Sequence, residues 1–259
     1  MACARLGARV ELVTCLGEDA FGPWARALYE KEGVGTGGIG TSKTLPTGLG
    51  AIMVTPDGRN AIIVDIGANR EMDAAFVESR ARFLDGASTL LTVTEAPLPA
   101  VRRAVEMAHA RGMQVVLNPA PAVALDDSIL TRVTALTPNA SELATLTGRA
   151  TGSVDAATSA ARVLLERGAP CVVVTLGEDG ALLCTPEKTV PLAAPKVPVK
   201  DTTGAGDAFS AGLAVALAEG AELVDAVRFA VCCGSLACTA DEVIPSLPSR
   251  AAVERALTG

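Results

Sequence analysis

The chain has 259 residues, 49% hydrophobic and 20% charged, a balance that supplies a sizeable core and excludes a disordered chain. Twenty-two Lys and Arg against 29 Asp and Glu leave a net charge of −7, so nothing marks a surface for nucleic acid or an acidic membrane, and any bound anion must be held locally. Aromatic residues make up only 3%, too few for the stacking platforms that hold single strands, and the seven cysteines lack metal-ligand spacing.

In chain order, residues 1–6 read as the end of a helix stopped at Gly7, before a strand over 10–15. A chain opening in mid-helix implies a strand and loop upstream of it. Residues 21–32 are helical, so Gly33-Val-Gly35-Thr-Gly-Gly38 follows a helix instead of a strand and is rejected as a dinucleotide fingerprint. Strands over 48–55 and 60–66 flank Pro56-Asp57-Gly58-Arg59 and predict a hairpin. From residue 89 onward short apolar strands alternate with helices: strands at 89–94, 114–117, 135–137 and 171–176, and helices at 99–111, from about 140, at 154–167, 205–218 and 223–238. This alternation predicts an α/β fold with a mainly parallel sheet covered by helices. The cysteines fall mostly within apolar runs and read as free thiols of a reducing cytoplasm, and no charge-free apolar run reaches the roughly 18 residues of a membrane span.

Three motifs carry possible chemistry. In Asp201-Thr-Thr-Gly-Ala-Gly-Asp207 small residues open a helix near Ala205, leaving backbone N–H groups uncovered at the positive end of the helix dipole, where a phosphate or a developing anion can sit. Asp207, in that first turn, is a carboxylate able to accept the proton of an attacking hydroxyl, as phosphoryl transfer to an alcohol requires. The plainer alternative is an Asp that only stabilises a helix end. Asn139 and Glu142, three apart after a strand, fit either a capping box or a carboxylate turned towards magnesium-bound water. Thr175-Leu-Gly177-Glu-Asp-Gly180 predicts a hairpin turn whose hydroxyl and amides can also contact nucleotide phosphates. The one histidine, His109, lies near the end of a helix, which removes histidine metal clusters and protease triads, and no Walker-type loop occurs.

These three motifs, in this order, resemble the ribokinase-like carbohydrate kinases of the PfkB type over nearly the whole chain. The resemblance implies one ribokinase-like domain over 1–259, a three-layer α/β/α sandwich with a small, incomplete β lid at 45–67. It implies transfer of phosphate from ATP to a primary hydroxyl of a sugar. Leu117-Asn-Pro-Ala-Pro-Ala122, Pro46-Thr-Gly48 and Gly67-Ala-Asn69 favour D-ribose within the family, with another sugar or a nucleoside as alternative. By the same resemblance Asp207 is the catalytic base and the amides of Gly204, Ala205 and Gly206 are its anion hole. Asn139, Thr175, Leu176, Gly177, Glu178, Asp179, Gly180 and Gly206 would bind ATP, Glu142 would organise Mg2+ through water, and Glu95 would meet the sugar together with Asp207. A K+ ion is implied beside Asp201, Thr203, Ala237, Ala240, Glu242 and Ser246, although Glu242 stands where relatives carry a loop Gly, a change expected to disturb the backbone carbonyls there. Family members begin with a strand bearing a sugar-binding Asp, lid strands and a Gly-Gly-Lys-Gly-Ala-Asn loop, and this sequence starts just after that loop. Half the sugar pocket is therefore expected to be missing, which keeps a noncatalytic nucleotide-binding role as a further alternative. The hairpin would be the edge that relatives use for homodimer contact.

Overall fold

Continuous apolar runs such as Gln114-Val-Val-Leu-Asn118 form strands buried on both sides, and segments of helical period pack around them. The computed structural model describes residues 1–54 and 60–258, so the predicted turn Pro56-Asp57-Gly58-Arg59 lies outside the described residues. The elements are α1 (Ala2–Arg5), β1 (Val10–Glu11), β2 (Cys15–Gly17), α2 (Phe21–Lys31), β3 (Val34–Gly35), β4 (Gly40–Ser42), β5 (Leu49–Val54), β6 (Asn60–Asp65), α3 (Ala74–Glu78), β7 (Thr89–Val93), α4 (Leu98–Ala110) and β8 (Gln114–Asn118). They continue as α5 (Asp127–Leu130), β9 (Ala135–Leu136), α6 (Ala140–Thr147), α7 (Val154–Glu166), β10 (Val172–Thr175), β11 (Ala181–Cys184), β12 (Thr189–Leu192), α8 (Ala205–Ala218), α9 (Leu223–Ala237), α10 (Val243–Ser246) and α11 (Arg250–Thr258).

Two compact units contain these elements. One comprises Met1–Arg9, Gly86–Thr94 and the chain from Val105 onward, and the other Val10–Asp85 with Glu95–Ala104. The larger unit holds a six-stranded sheet in the order β12-β11-β10-β9-β8-β7, parallel from β7 to β10 and antiparallel beyond. On one face Val116, Val173 and Leu183 pack with Phe209 and Leu213 of α8 and Ala230 of α9. Strand alternation turns the fully buried Val172, Val174 and Leu182 to the other face, where α7 lies on β10 and β11. Helix, sheet and helix thus form the expected three layers. Helix α8 is buried over Ala208 to Ala216, between the sheet and α9. Its approach to α9 is close enough to require Gly212, where a Cβ would stand 2.8 Å from Cys233 Sγ.

In the smaller unit β5 and β6 form the expected antiparallel hairpin. The single strand expected over 10–15 is corrected: β1 pairs with β3 and β2 with β4, in two separate parallel pairs. The partner segment carries one more residue between its pairings, so the register slips and the ladder breaks. Asn69 fills the break, its Oδ1 accepting from Thr14 Oγ1 at 2.8 Å and from Cys15 N at 3.3 Å.

Among the described residues, no helix is long and apolar enough to cross a membrane.

Candidate active site

The start of α8 is shaped by the loop before it. Asp201 Oδ1 accepts from Thr203 N at 2.9 Å and from Thr203 Oγ1 at 2.7 Å, and these bonds, the side-chain one first, hold the Asp201 carboxyl below its ordinary range. Gly204 then turns the chain at φ 80°, a left-handed conformation suited to glycine, with Val243 of α10 against it. No side chain caps the helix. Ala205 N donates to Thr202 O at 3.2 Å, whereas the amides of Gly204, Gly206 and Asp207 have no acceptor among the described residues. A Cβ placed on Gly206 would meet nothing within 4 Å, so there is open space beside the helix end. Unpaired amides, a dipole and open space together make an anion site.

Asp207 projects from that turn. Burial by surrounding protein raises its pKa above the ordinary aspartate value, yet the residue remains solvent-accessible, so water screens part of the effect. It is a carboxylate shifted in the direction a general base needs. Behind it, Ser210 Oγ lies 3.1 Å from Thr137 Oγ1 in a buried contact that ties α8 to the end of β9.

The second motif opens α6. Asn139 Oδ1 accepts from Glu142 N at 2.8 Å and Glu142 Oε2 accepts from Asn139 N at 2.8 Å, a complete capping box. The other Glu142 oxygen accepts from no donor among the described residues, so the cap does not exhaust the carboxylate. Burial, partly offset by the Asn139 amide, raises its pKa. The third motif adjoins the second: Thr175 N donates to Pro138 O at 3.0 Å and Asn139 bridges to Thr175. The turn Gly177–Asp179 then closes, with Leu176 N on Gly180 O at 2.8 Å. A Cβ on Gly177 would also meet nothing within 4 Å.

The segment expected to hold a monovalent cation lies against the loop before α8, since Lys200 N donates to Cys238 O at 2.8 Å. Ala237 is buried at the end of α9, and Ser246 Oγ donates to Val243 O at 2.8 Å. Glu242 has φ 64° and ψ 147°, backbone that glycine adopts freely and a side chain resists. Relieving about 1–3 kcal/mol of strain outweighs the roughly 0.5–1 kcal/mol of extra chain entropy that a glycine loses on folding. Glu242→Gly is therefore expected to stabilise the protein by about 1 kcal/mol, raising the melting temperature by a few degrees in calorimetry.

Glu95 sits exposed between β7 and α4 and belongs to the smaller unit. His109 is exposed in the last turn of α4. Six of the seven thiols are buried, and burial pushes Cys171 and Cys233 up to about 12, which leaves neither as a nucleophile. No group of three or more His, Cys, Asp or Glu able to hold a metal occurs among the described residues. Two polar residues facing α8 were given no role from sequence: Thr137 and Asn118, each a polar side chain at the end of an apolar strand run.

The sequence matches the pfkB family carbohydrate kinases over residues 1–250. The chain belongs to that family. As a pfkB-family carbohydrate kinase it is 33% identical over 250 residues to a ribokinase of Haemophilus influenzae, covering 96% of this chain and 82% of the relative. A deoxyribokinase of Salmonella typhi is 31% identical over 250 residues, with the same coverage of both chains. The structure of Arabidopsis thaliana ribokinase complexed with ribose and ATP superposes with a TM-score of 0.89 at 32% identity, covering 100% of this chain and 85% of that one. The fold expected from the motifs is thus that of ribokinases, and the motifs that carried the expectation belong to a carbohydrate kinase.

Proposed function

We propose that this kinase transfers the γ-phosphoryl group of ATP to the primary hydroxyl of D-ribose, giving ADP and D-ribose 5-phosphate. The observation that carries the reading is the Asp207 carboxylate in the first turn of α8, beside amides without acceptors and open space at Gly206. The ribokinases among its relatives, and the ribose and ATP held by the Arabidopsis ribokinase, support the choice of substrates.

In this mechanism ionised Asp207 takes the proton of the sugar hydroxyl as that oxygen bonds to the γ-phosphorus and the bond to the ADP oxygen breaks. The amides of Gly204 and Gly206 and the α8 dipole stabilise the charge that gathers on the transferred group, whereas the Ala205 amide, expected to join them, is engaged by Thr202 O. Asn139 and the stretch Thr175, Leu176, Gly177, Glu178, Asp179 and Gly180 hold the nucleotide. Magnesium, when bound, neutralises phosphate charge; a single carboxylate suits it because it keeps most of its waters, and Glu142 retains an oxygen for one of them. Asp201, Thr203, Ala237, Ala240, Glu242 and Ser246 offer the carbonyl, hydroxyl and carboxylate oxygens that suit K+. The exposed Leu49, Met53, Ile63 and Val64 of the β5–β6 hairpin support a homodimer contact through that lid.

ADP release with ATP, Mg2+ and K+ tests the reading across ribose, 2-deoxyribose, fructose and a nucleoside. Ribose is expected to give the highest kcat/KM. The deoxyribokinase relative favours 2-deoxyribose as the second reading, and a preference for it would replace ribose. Turnover with none of them would leave nucleotide binding without catalysis.

A further inference from the structure

Arg5, the last residue of α1, reaches across to a segment 239 residues further along the chain. Its Nη1 donates to Ile244 O at 2.8 Å and to Leu247 O at 3.0 Å. One cationic nitrogen thus grips carbonyls within and just beyond α10, and bonds from a charged donor are the stronger kind.

The segment it grips backs the candidate site. At the start of α10 Glu242 has its φ of 64°, a conformation that persists only where the surroundings enforce it. The next residue, Val243, stands so close to Gly204 that a Cβ on the glycine would lie 2.7 Å from Val243 Cγ1. Beyond the helix, Leu247 is buried in one cluster with Ala2 of α1 and with Ala208, the residue after Asp207. The two ends of α10 therefore rest on Gly204 and Ala208, which flank the Gly206 amide and Asp207. With no side chain capping α8, this packing and the Asp201–Thr203 bonds hold its first turn.

We propose that Arg5 is a positioning residue for phosphoryl transfer: by gripping the Ile244 and Leu247 carbonyls it presses α10 onto Gly204 and Ala208 and so fixes the unpaired amides and the Asp207 carboxylate relative to each other. This rests on the function proposed above and adds a residue that acts on the site only through α10.

Steady-state kinetics with ATP, Mg2+ and the best sugar of the panel above test it on Arg5→Met, Arg5→Lys and Val243→Ala, at a temperature well below the melting temperature of each. Arg5→Met keeps the apolar stem and removes both bonds. A misplacement of about 1 Å around reacting groups can cost about 10²-fold, so this partial loosening is expected to lower kcat about tenfold, with the sugar KM changed less than about twofold. Because a single nitrogen makes both bonds, a lysine ammonium can serve the same carbonyls, and Arg5→Lys should recover most of the lost kcat. Val243→Ala thins the contact on Gly204 and should lower kcat in the same manner. Since both substitutions act through α10, the double variant should lose less than the product of the two single losses. A lowered melting temperature with undiminished kcat, a lysine variant as slow as the methionine one, losses that multiply, or an effect confined to sugar KM overturns the inference while the kinase reading stands. Should Arg5→Met not fold, Val243→Ala with undiminished kcat overturns it equally. No turnover by the unaltered chain overturns both.

Discussion

Asp207→Asn is expected to lower kcat about 10²–10⁴-fold, the usual contribution of a general base, while the protein stays at least as stable. Two opposing effects decide the stability. A carboxylate in the first turn of a helix gains about 0.3–1 kcal/mol from the dipole, which would make its loss destabilising. Burial acts the other way, and here it prevails, since the pKa lies above the ordinary value. The folded state then holds this proton more tightly than the unfolded one. Stability is therefore greatest below the unfolded value of about 3.9 and declines as pH rises through the folded pKa. At neutral pH the ionised carboxylate costs stability that an amide does not. Because the residue is solvent-accessible the gain is small, and differential scanning calorimetry beside a coupled assay is the check. The same shift sets the acid limb of kcat/KM: activity falls as pH drops through a value above 3.9. A variant that melts lower and keeps its turnover would make Asp207 a helix-end residue and nothing more.

Gly206→Ala is expected to separate folding from function in the opposite sense. Within a helix, alanine is favoured over glycine by about 0.5–1 kcal/mol, and the new Cβ would touch nothing within 4 Å. The melting temperature should therefore rise. The methyl would, however, occupy the open space beside the unpaired amides, where a phosphate must come close to the backbone. Displacing one charge-assisted hydrogen bond there is expected to weaken ATP binding or turnover at least about tenfold. Isothermal titration with ATP and steady-state kinetics read this directly. A more stable variant with undiminished affinity and kcat would mean that no anion occupies that space.

Both substitutions concern α8, the element most legible in the sequence. Its bounds fell where glycines meet an apolar run, because that boundary is set by local chemistry. The strands from β7 to β10 were legible for the same reason, as was the hairpin of β5 and β6. The strand expected over 10–15 was not, because its break comes from one extra residue in its partner and from Asn69, neither of which lies in the strand itself. At Asn139 and Glu142 the sequence left a capping box and a metal carboxylate as alternatives; the box forms, using only one Glu142 oxygen, so the two are compatible. The substitution of Glu242 for a loop glycine was visible, but its positive φ was not, since that conformation is imposed by the turn into α10.

The most direct measurement is a structure of the protein with D-ribose and a nonhydrolysable ATP analogue bound. The sugar's primary hydroxyl should lie about 2.6–3.2 Å from an Asp207 carboxylate oxygen, with the γ-phosphate on the amides of Gly204 and Gly206. A sugar bound with that hydroxyl turned away from Asp207, or a γ-phosphate seated elsewhere, would contradict the account.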